Sequence, residues 1–314
     1  MDAQHAVESQ GLADEVLARL EGWCKRFPAM GGLRLESMAL ACAAACPRAP
    51  AEDVLELAIF CMVLFGIDDL GDRALCEVTD EEIDQELRHL AALAHRGGEA
   101  PGELAGPAGQ VRRALAELCA RLAAGRPERP AYRLFARCFE EMLDGMREEV
   151  GISRAFAERG ELPGWDAYLE IGTRSVGIPP VGGVMLVLER PHAAALGADV
   201  DALLNAAARC IRFANDLRSF AREALELKPN SVTLLMRNGG ATEAQARAEI
   251  SARCEAEWAA LPRLAEALPA ELRPWAADFV RYTGFIKRWY AVAELHEAAP
   301  ALHDDHGVQK GRSS

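Results

Sequence analysis

A chain of 314 residues, 50% of them apolar and 26% charged, has length enough for a substantial core and is too hydrophobic for disorder. Its 35 basic and 48 acidic side chains leave a formal charge of −13, which argues against nucleic acid or an anionic membrane as the main partner. Any anion it handles has to be met by locally placed arginine, lysine or metal ions.

The first residues carry neither a basic stretch nor an apolar one, so no secretion signal is expected. No uninterrupted apolar run reaches the ~20 residues of a membrane span, and stable membrane insertion is not expected either. Helical periodicity then runs through most of the chain. Apolar residues at spacings of three and four predict helices over 12–27, 53–67, 80–95, 111–124, 131–150, 201–227, 242–261 and 277–298. Between them, Gly and Pro collect at 96–109, 125–130 and 237–241. Alternating strand-like text is nearly absent. The expectation is an all-α, single-domain helical bundle over residues 1–300, with 301–314 a frayed tail. The nine cysteines (at 24, 42, 46, 61, 76, 119, 138, 210 and 254) form no CxxC pair. They read as small buried hydrophobes in a reducing cytoplasm, with no disulfide framework and no zinc site.

Three stretches depart from plain helical text. The apolar run ending at Ile67 closes on "DDLGD", which puts Asp68 and Asp72 one turn apart with Asp69 beside them. The segment 168–189, "YLEIGTRSVGIPPVGGVMLVLE", crowds Gly and Pro into its middle, so a helix there must break or kink. In "NDLRSFARE", Asn215, Ser219 and Glu223 fall at i, i+4 and i+8, an amide, a hydroxyl and a carboxylate in one row with Arg212, Arg218 and Arg222 around it. Such oxygen donors suit a hard divalent cation, Mg²⁺ in particular. For each acidic stretch the alternative is a solvated helix face.

Taken together, the two polar motifs resemble those of the class I terpene synthases of bacterial type. The family's first metal motif, DDxxD, is matched by Asp68, Asp69 and Asp72. Its second, N-D-x-x-S-x-x-[RK]-E, is matched at every specified position by Asn215, Asp216, Ser219, Arg222 and Glu223. The resemblance implies two metal-binding helices facing each other across a central apolar cavity, with three Mg²⁺ ions and a prenyl diphosphate between them. It makes Arg174 the diphosphate sensor, with Ser175 and Gly177 in the unwound backbone after it. Arg174, Arg222 and a C-terminal Arg281–Tyr282 pair would contact the diphosphate, although this pair and "KRWY" (287–290) sit off the family's usual place. Phe65, Val176, Ile178, Met185 and Phe213 are the expected pocket residues.

The "RSVGIPP" text resembles labdane-type diterpene synthases, and an aromatic content of 6% offers few rings to a flexible cation. The expectation therefore tilts to a C20 substrate, copalyl-type or geranylgeranyl diphosphate, supplied by an upstream class II cyclase or prenyltransferase. Farnesyl diphosphate is the alternative. Homodimers are common in such folds. A chain-elongating prenyltransferase would need a second aspartate-rich motif in place of Asn215, Ser219 and Glu223, and a non-catalytic scaffold would not need the paired motifs at all.

Overall fold

The computed structural model describes residues 3–32, 34–71, 79–99, 106–124, 126, 128–190 and 196–292. The tail expected at 301–314 lies outside the described residues. Twelve α-helices run through them in order: α1 (Ala3–Cys24), α2 (Leu35–Ala45), α3 (Ala51–Gly71), α4 (Asp80–His95), α5 (Gly106–Ala123), α6 (Pro130–Arg159), α7 (Trp165–Ser175), α8 (Ile178–Glu189), α9 (Ala198–Glu226), α10 (Ser231–Gly239), α11 (Glu243–Ala267) and α12 (Arg273–Val292). No strand occurs among the described residues.

Local chemistry sets the ends. Thr79 and Glu82 close a capping box at the start of α4, and Thr242 and Gln245 do the same for α11. Proline opens α6, where its missing N–H costs nothing, and Gly160 ends that helix in the left-handed region at φ 68°.

Helix α3 is apolar almost all round, and its buried side chains put it at the centre of the bundle, against α1, α2, α5 and α8. Helix α8 is equally apolar and packs on α6, α9 and α12. The close approach to α6 requires glycine: a Cβ on Gly183 would come within 2.7 Å of the Phe135 backbone. Gly183→Ala is therefore expected to destabilise the fold by about 1–3 kcal/mol, read by urea unfolding. An unchanged midpoint would mean that α6 and α8 can separate freely.

The break foreseen in 168–189 falls at Val176 and Gly177. Val176 is extended (φ −70°, ψ 130°), and α8 restarts with two prolines in its first turn. By composition Trp165–Glu189 is long and apolar enough to cross a membrane, yet 67% of that window is buried in the bundle. It is core. Two helices escaped the sequence reading. In α2, "LESMALACAAA" lacks a polar stripe to set a phase, and α10 spans 9 residues. The eight described cysteines are free and buried.

Candidate active site

Helices α3, α4, α6, α9 and α12, with the α7–α8 break, enclose a cavity of about 730 Å³. Its mouth is charged. Asp68 comes from the last turn of α3, and Asn215, Arg222 and Glu223 come from α9. Ser175, Val176, Gly177 and Ile178 bring the helix break to the same wall. Deeper, the lining is mostly aliphatic and thioether, with Leu64, Met142, Val181, Ile211 and Ile286 beside Cys61 and Tyr282.

The two acids at the end of α3 face different ways. Asp68 lines the cavity, whereas Asp69 is clamped by Arg34, whose guanidinium donates to its oxygens at 3.0 and 3.1 Å and lies over the Phe65 ring. Asp72 lies outside the described residues. The last turn of α3 holds no basic residue, so Asp68 and Asp69 sit at the negative end of the helix dipole. That is a place where a cation is favoured.

On α9, Ser219 is fully buried between the two lining residues, its Oγ donating to the Asn215 carbonyl at 2.8 Å. Glu223 is nearly buried. Desolvation, then the negative charge of Asp216, push its carboxyl up to about 7, against the pull of Arg212 and of hydrogen bonds from Asn230 and Ser219. Asn230 Nδ2 donates to Glu223 Oε2 at 2.8 Å and to the Asp216 carbonyl at 2.9 Å, while its Oδ1 caps α10.

Asp216 belongs to the same motif but not to the cavity. It is fully buried and accepts from Tyr168 Oη at 2.7 Å and from the Ser231 N–H at 3.0 Å. Arg212 Nε lies 3.0 Å from its other oxygen, and Arg212 also donates to Tyr168 Oη and to Glu149. One buried ionic network thus joins α6, α7, α9 and the start of α10.

Other expected residues are placed elsewhere. Arg174 does not line the cavity; its guanidinium is paired with Glu148 at 2.8 and 3.1 Å. Arg281 is turned toward α2, donating to the Ala45 carbonyl at 3.0 Å and to Asp278. Tyr282 does line the cavity, but its hydroxyl sits 3.3 Å from Cys61 Sγ, two helical turns below Asp68. The expected diphosphate cap at Arg281–Tyr282 is therefore displaced from the mouth. Tyr290, two turns further along α12, lines the cavity as well. Phe65, Val176 and Ile178 are on the wall as expected. Phe213 is not: it stacks on Trp165 with ring centroids 6.2 Å apart. Met185 faces a different cavity beneath this one.

Sequence reading missed a group of charges at the mouth, namely Asp84, Arg147, Glu149, Arg154 and Lys228. Arg147 bonds to Asp84 and, at 2.8 Å, to Asp144. The signal was available in part, because Arg147 and Arg154 are seven residues apart on α6 and so share a face.

Between residues 60 and 260 the sequence matches the family described as terpene synthase family 2, C-terminal metal binding. The chain belongs to terpene synthase family 2. No curated protein sequence matches it closely enough to be counted a relative. Solved structures share its fold. The linalool/nerolidol synthase of Streptomyces clavuligerus, in complex with 2-fluorogeranyl diphosphate, has a TM-score of 0.69 at 19% identity, covering 88% of this chain and 98% of its own. The germacradien-4-ol synthase of Streptomyces citricolor has a TM-score of 0.65 at 20% identity, covering 89% and 92%. An α-eudesmol synthase has a TM-score of 0.68 at 22% identity, covering 90% and 95%. The chain is thus a class I terpene synthase, a carbon–oxygen lyase acting on phosphates.

Among the described residues of this terpene synthase, no three His, Cys, Asp or Glu side chains gather closely enough to hold a metal alone. Of the expected donors, the Asp68 and Glu223 carboxylates and the Asn215 amide line the cavity, while the Ser219 hydroxyl is buried beside them. That set leaves most coordination positions to substrate oxygen and water, which is how Mg²⁺ is commonly held.

Proposed function

We propose that this terpene synthase binds a prenyl diphosphate at the charged mouth, ionises its allylic C–O bond and shelters the carbocation below. Cyclisation or rearrangement then ends in proton loss or capture of water. The observation that carries the reading is that Asp68 on α3 and Asn215 and Glu223 on α9 line one cavity whose depth is apolar.

Three Mg²⁺ ions, held by Asp68 with Asp69 or Asp72 on one side and by Asn215, Ser219 and Glu223 on the other, would supply positive charge to the departing diphosphate. Arg222, Arg147 and Lys228 at the rim offer N–H donors to phosphate oxygens. The break at Val176 and Gly177 interrupts the helical ladder beside the cavity, where unwound backbone would meet the substrate. The aliphatic wall keeps water from the cation, so charge is quenched late. For Arg174 to act as sensor it has to exchange Glu148 for the substrate.

A C20 chain, copalyl-type or geranylgeranyl, is the first reading of the substrate. It would come from an upstream class II cyclase or prenyltransferase. The rings on the described lining are those of Phe65, Tyr282 and Tyr290, few for chaperoning a flexible acyclic cation. Farnesyl diphosphate is the second reading, favoured by neighbours named for nerolidol, germacradien-4-ol and α-eudesmol, which are sesquiterpene alcohols. A cavity of about 730 Å³ can hold either chain. Free buried thiols fit a reducing cytoplasm.

Purified protein with Mg²⁺ should convert geranyl, farnesyl, geranylgeranyl or copalyl diphosphate to a hydrocarbon or alcohol, read by gas chromatography and mass spectrometry. Folded protein that yields no product from any of the four would defeat the proposal.

A further inference from the structure

A second cavity, of about 350 Å³, lies beneath the first. The two share three helices, and on each helix the residues that face them are one turn apart. On α3, Cys61 lines the upper cavity and Leu57 the lower. On α8 the pair is Val181 and Met185, and on α12 it is Tyr282 and Asp278. Four helical residues rise about 6 Å, so the partition is one helical turn thick, and no described side chain lines both cavities.

The upper surface of that layer is the Cys61–Tyr282 contact at 3.3 Å, and the lower surface is made by Leu57 and Met185, both buried. Below it the cavity turns an apolar side to the partition, formed by Val54, Leu57, Met185 and Trp275. Trp275 is held in place by its Nε1–H, which donates to the Gly182 carbonyl at 2.9 Å. Of the charged side chains that line the lower cavity, Arg190 pairs with Asp53 at 3.2 Å and Arg48 with Asp278 at 3.6 Å, and Glu189 lines it as well. The part of the space that suits hydrocarbon is the apolar side next to the partition.

We infer that the lower cavity is a latent extension of the prenyl-chain site, and that Met185 and Leu57 set the longest chain the enzyme accepts. The inference rests on the proposed prenyl diphosphate chemistry. Met185 is the easier of the two to displace, being unbranched, and truncating it removes the support beneath Val181 and the Cys61–Tyr282 contact, so that a longer chain can part them. The distal isoprene unit of a C25 diphosphate would then have somewhere to go.

The test compares kcat/KM for farnesyl, geranylgeranyl and geranylfarnesyl diphosphates, alongside the wild type's preferred substrate. Met185→Ala is expected to raise the ratio of geranylfarnesyl to farnesyl turnover by about tenfold or more. Adding Leu188→Trp, which fills the lower cavity from its far side, is expected to reverse the gain. An unchanged ratio in folded Met185→Ala that still consumes the wild-type substrate overturns the inference, and so does a gain that survives Leu188→Trp. Leu57→Val, a milder opening of the same layer, gives the same reading if Met185→Ala does not fold. Wild-type protein that consumes no prenyl diphosphate removes the functional reading itself, a result distinct from an active enzyme whose chain-length preference does not move.

Discussion

Glu223→Gln is expected to cut prenyl diphosphate turnover by on the order of 10³-fold, because the charge that would hold a cation at the transition state is removed. The same change is expected to make the metal-free protein more stable at pH 8 and no more stable at pH 4. The sign follows from the raised carboxyl, which sits at about 7 in the fold against an ordinary 4.5. Below about 4.5 the group is protonated folded and unfolded, and contributes nothing. From there to about 7 the unfolded chain ionises while the fold resists, so stability is lost as pH rises, and above 7 the loss is constant. Gln carries no such penalty. Thermal unfolding in EDTA at the two pH values, beside a turnover assay, checks both halves. Undiminished turnover would remove Glu223 from the site, and equal effects on stability at both pH values would mean that its carboxyl is not raised in the fold.

Asp216, seven residues earlier in the same motif, should behave in the opposite way. Asp216→Ala is expected to cost about 3–5 kcal/mol of stability, since it withdraws the partner of the buried Arg212 charge. It also strands the Tyr168 hydroxyl and the Ser231 N–H. Tyr168→Phe, which removes one neutral donor, should cost about 1–3 kcal/mol. Urea unfolding measures both. If Asp216→Ala unfolds at the wild-type urea concentration yet has no turnover, its role is chemical and the network described above is not what holds these helices.

The two polar motifs were legible because each sets charge or amide against apolar helical text, a combination with a cost that a solvated face would not incur. The helix break was legible from proline and glycine chemistry alone. Individual side-chain directions were less so, though some could have been settled by helix geometry. Phe213 is two residues before Asn215, about 200° round α9, and so faces away from the cavity. Ile211, one turn before Asn215, is the residue that lines it. Met185 shares a face with Ile178 but lies about 10 Å further along the helix, which carries it past the floor. The pairings of Asp69 with Arg34 and of Arg174 with Glu148 join residues distant in sequence, and no local pattern announces them. Arg281 is displaced for a similar reason, its neighbour being the end of α2, a helix whose uniform apolarity hid it.

The buried network around Arg212 acts as a keystone. Helix α6 through Glu149, α7 through Tyr168, and α9 and α10 through Asp216 all meet at one guanidinium or its immediate partners. In a low-dielectric interior such bonds reinforce one another, so a substitution at this one point disturbs four segments at once.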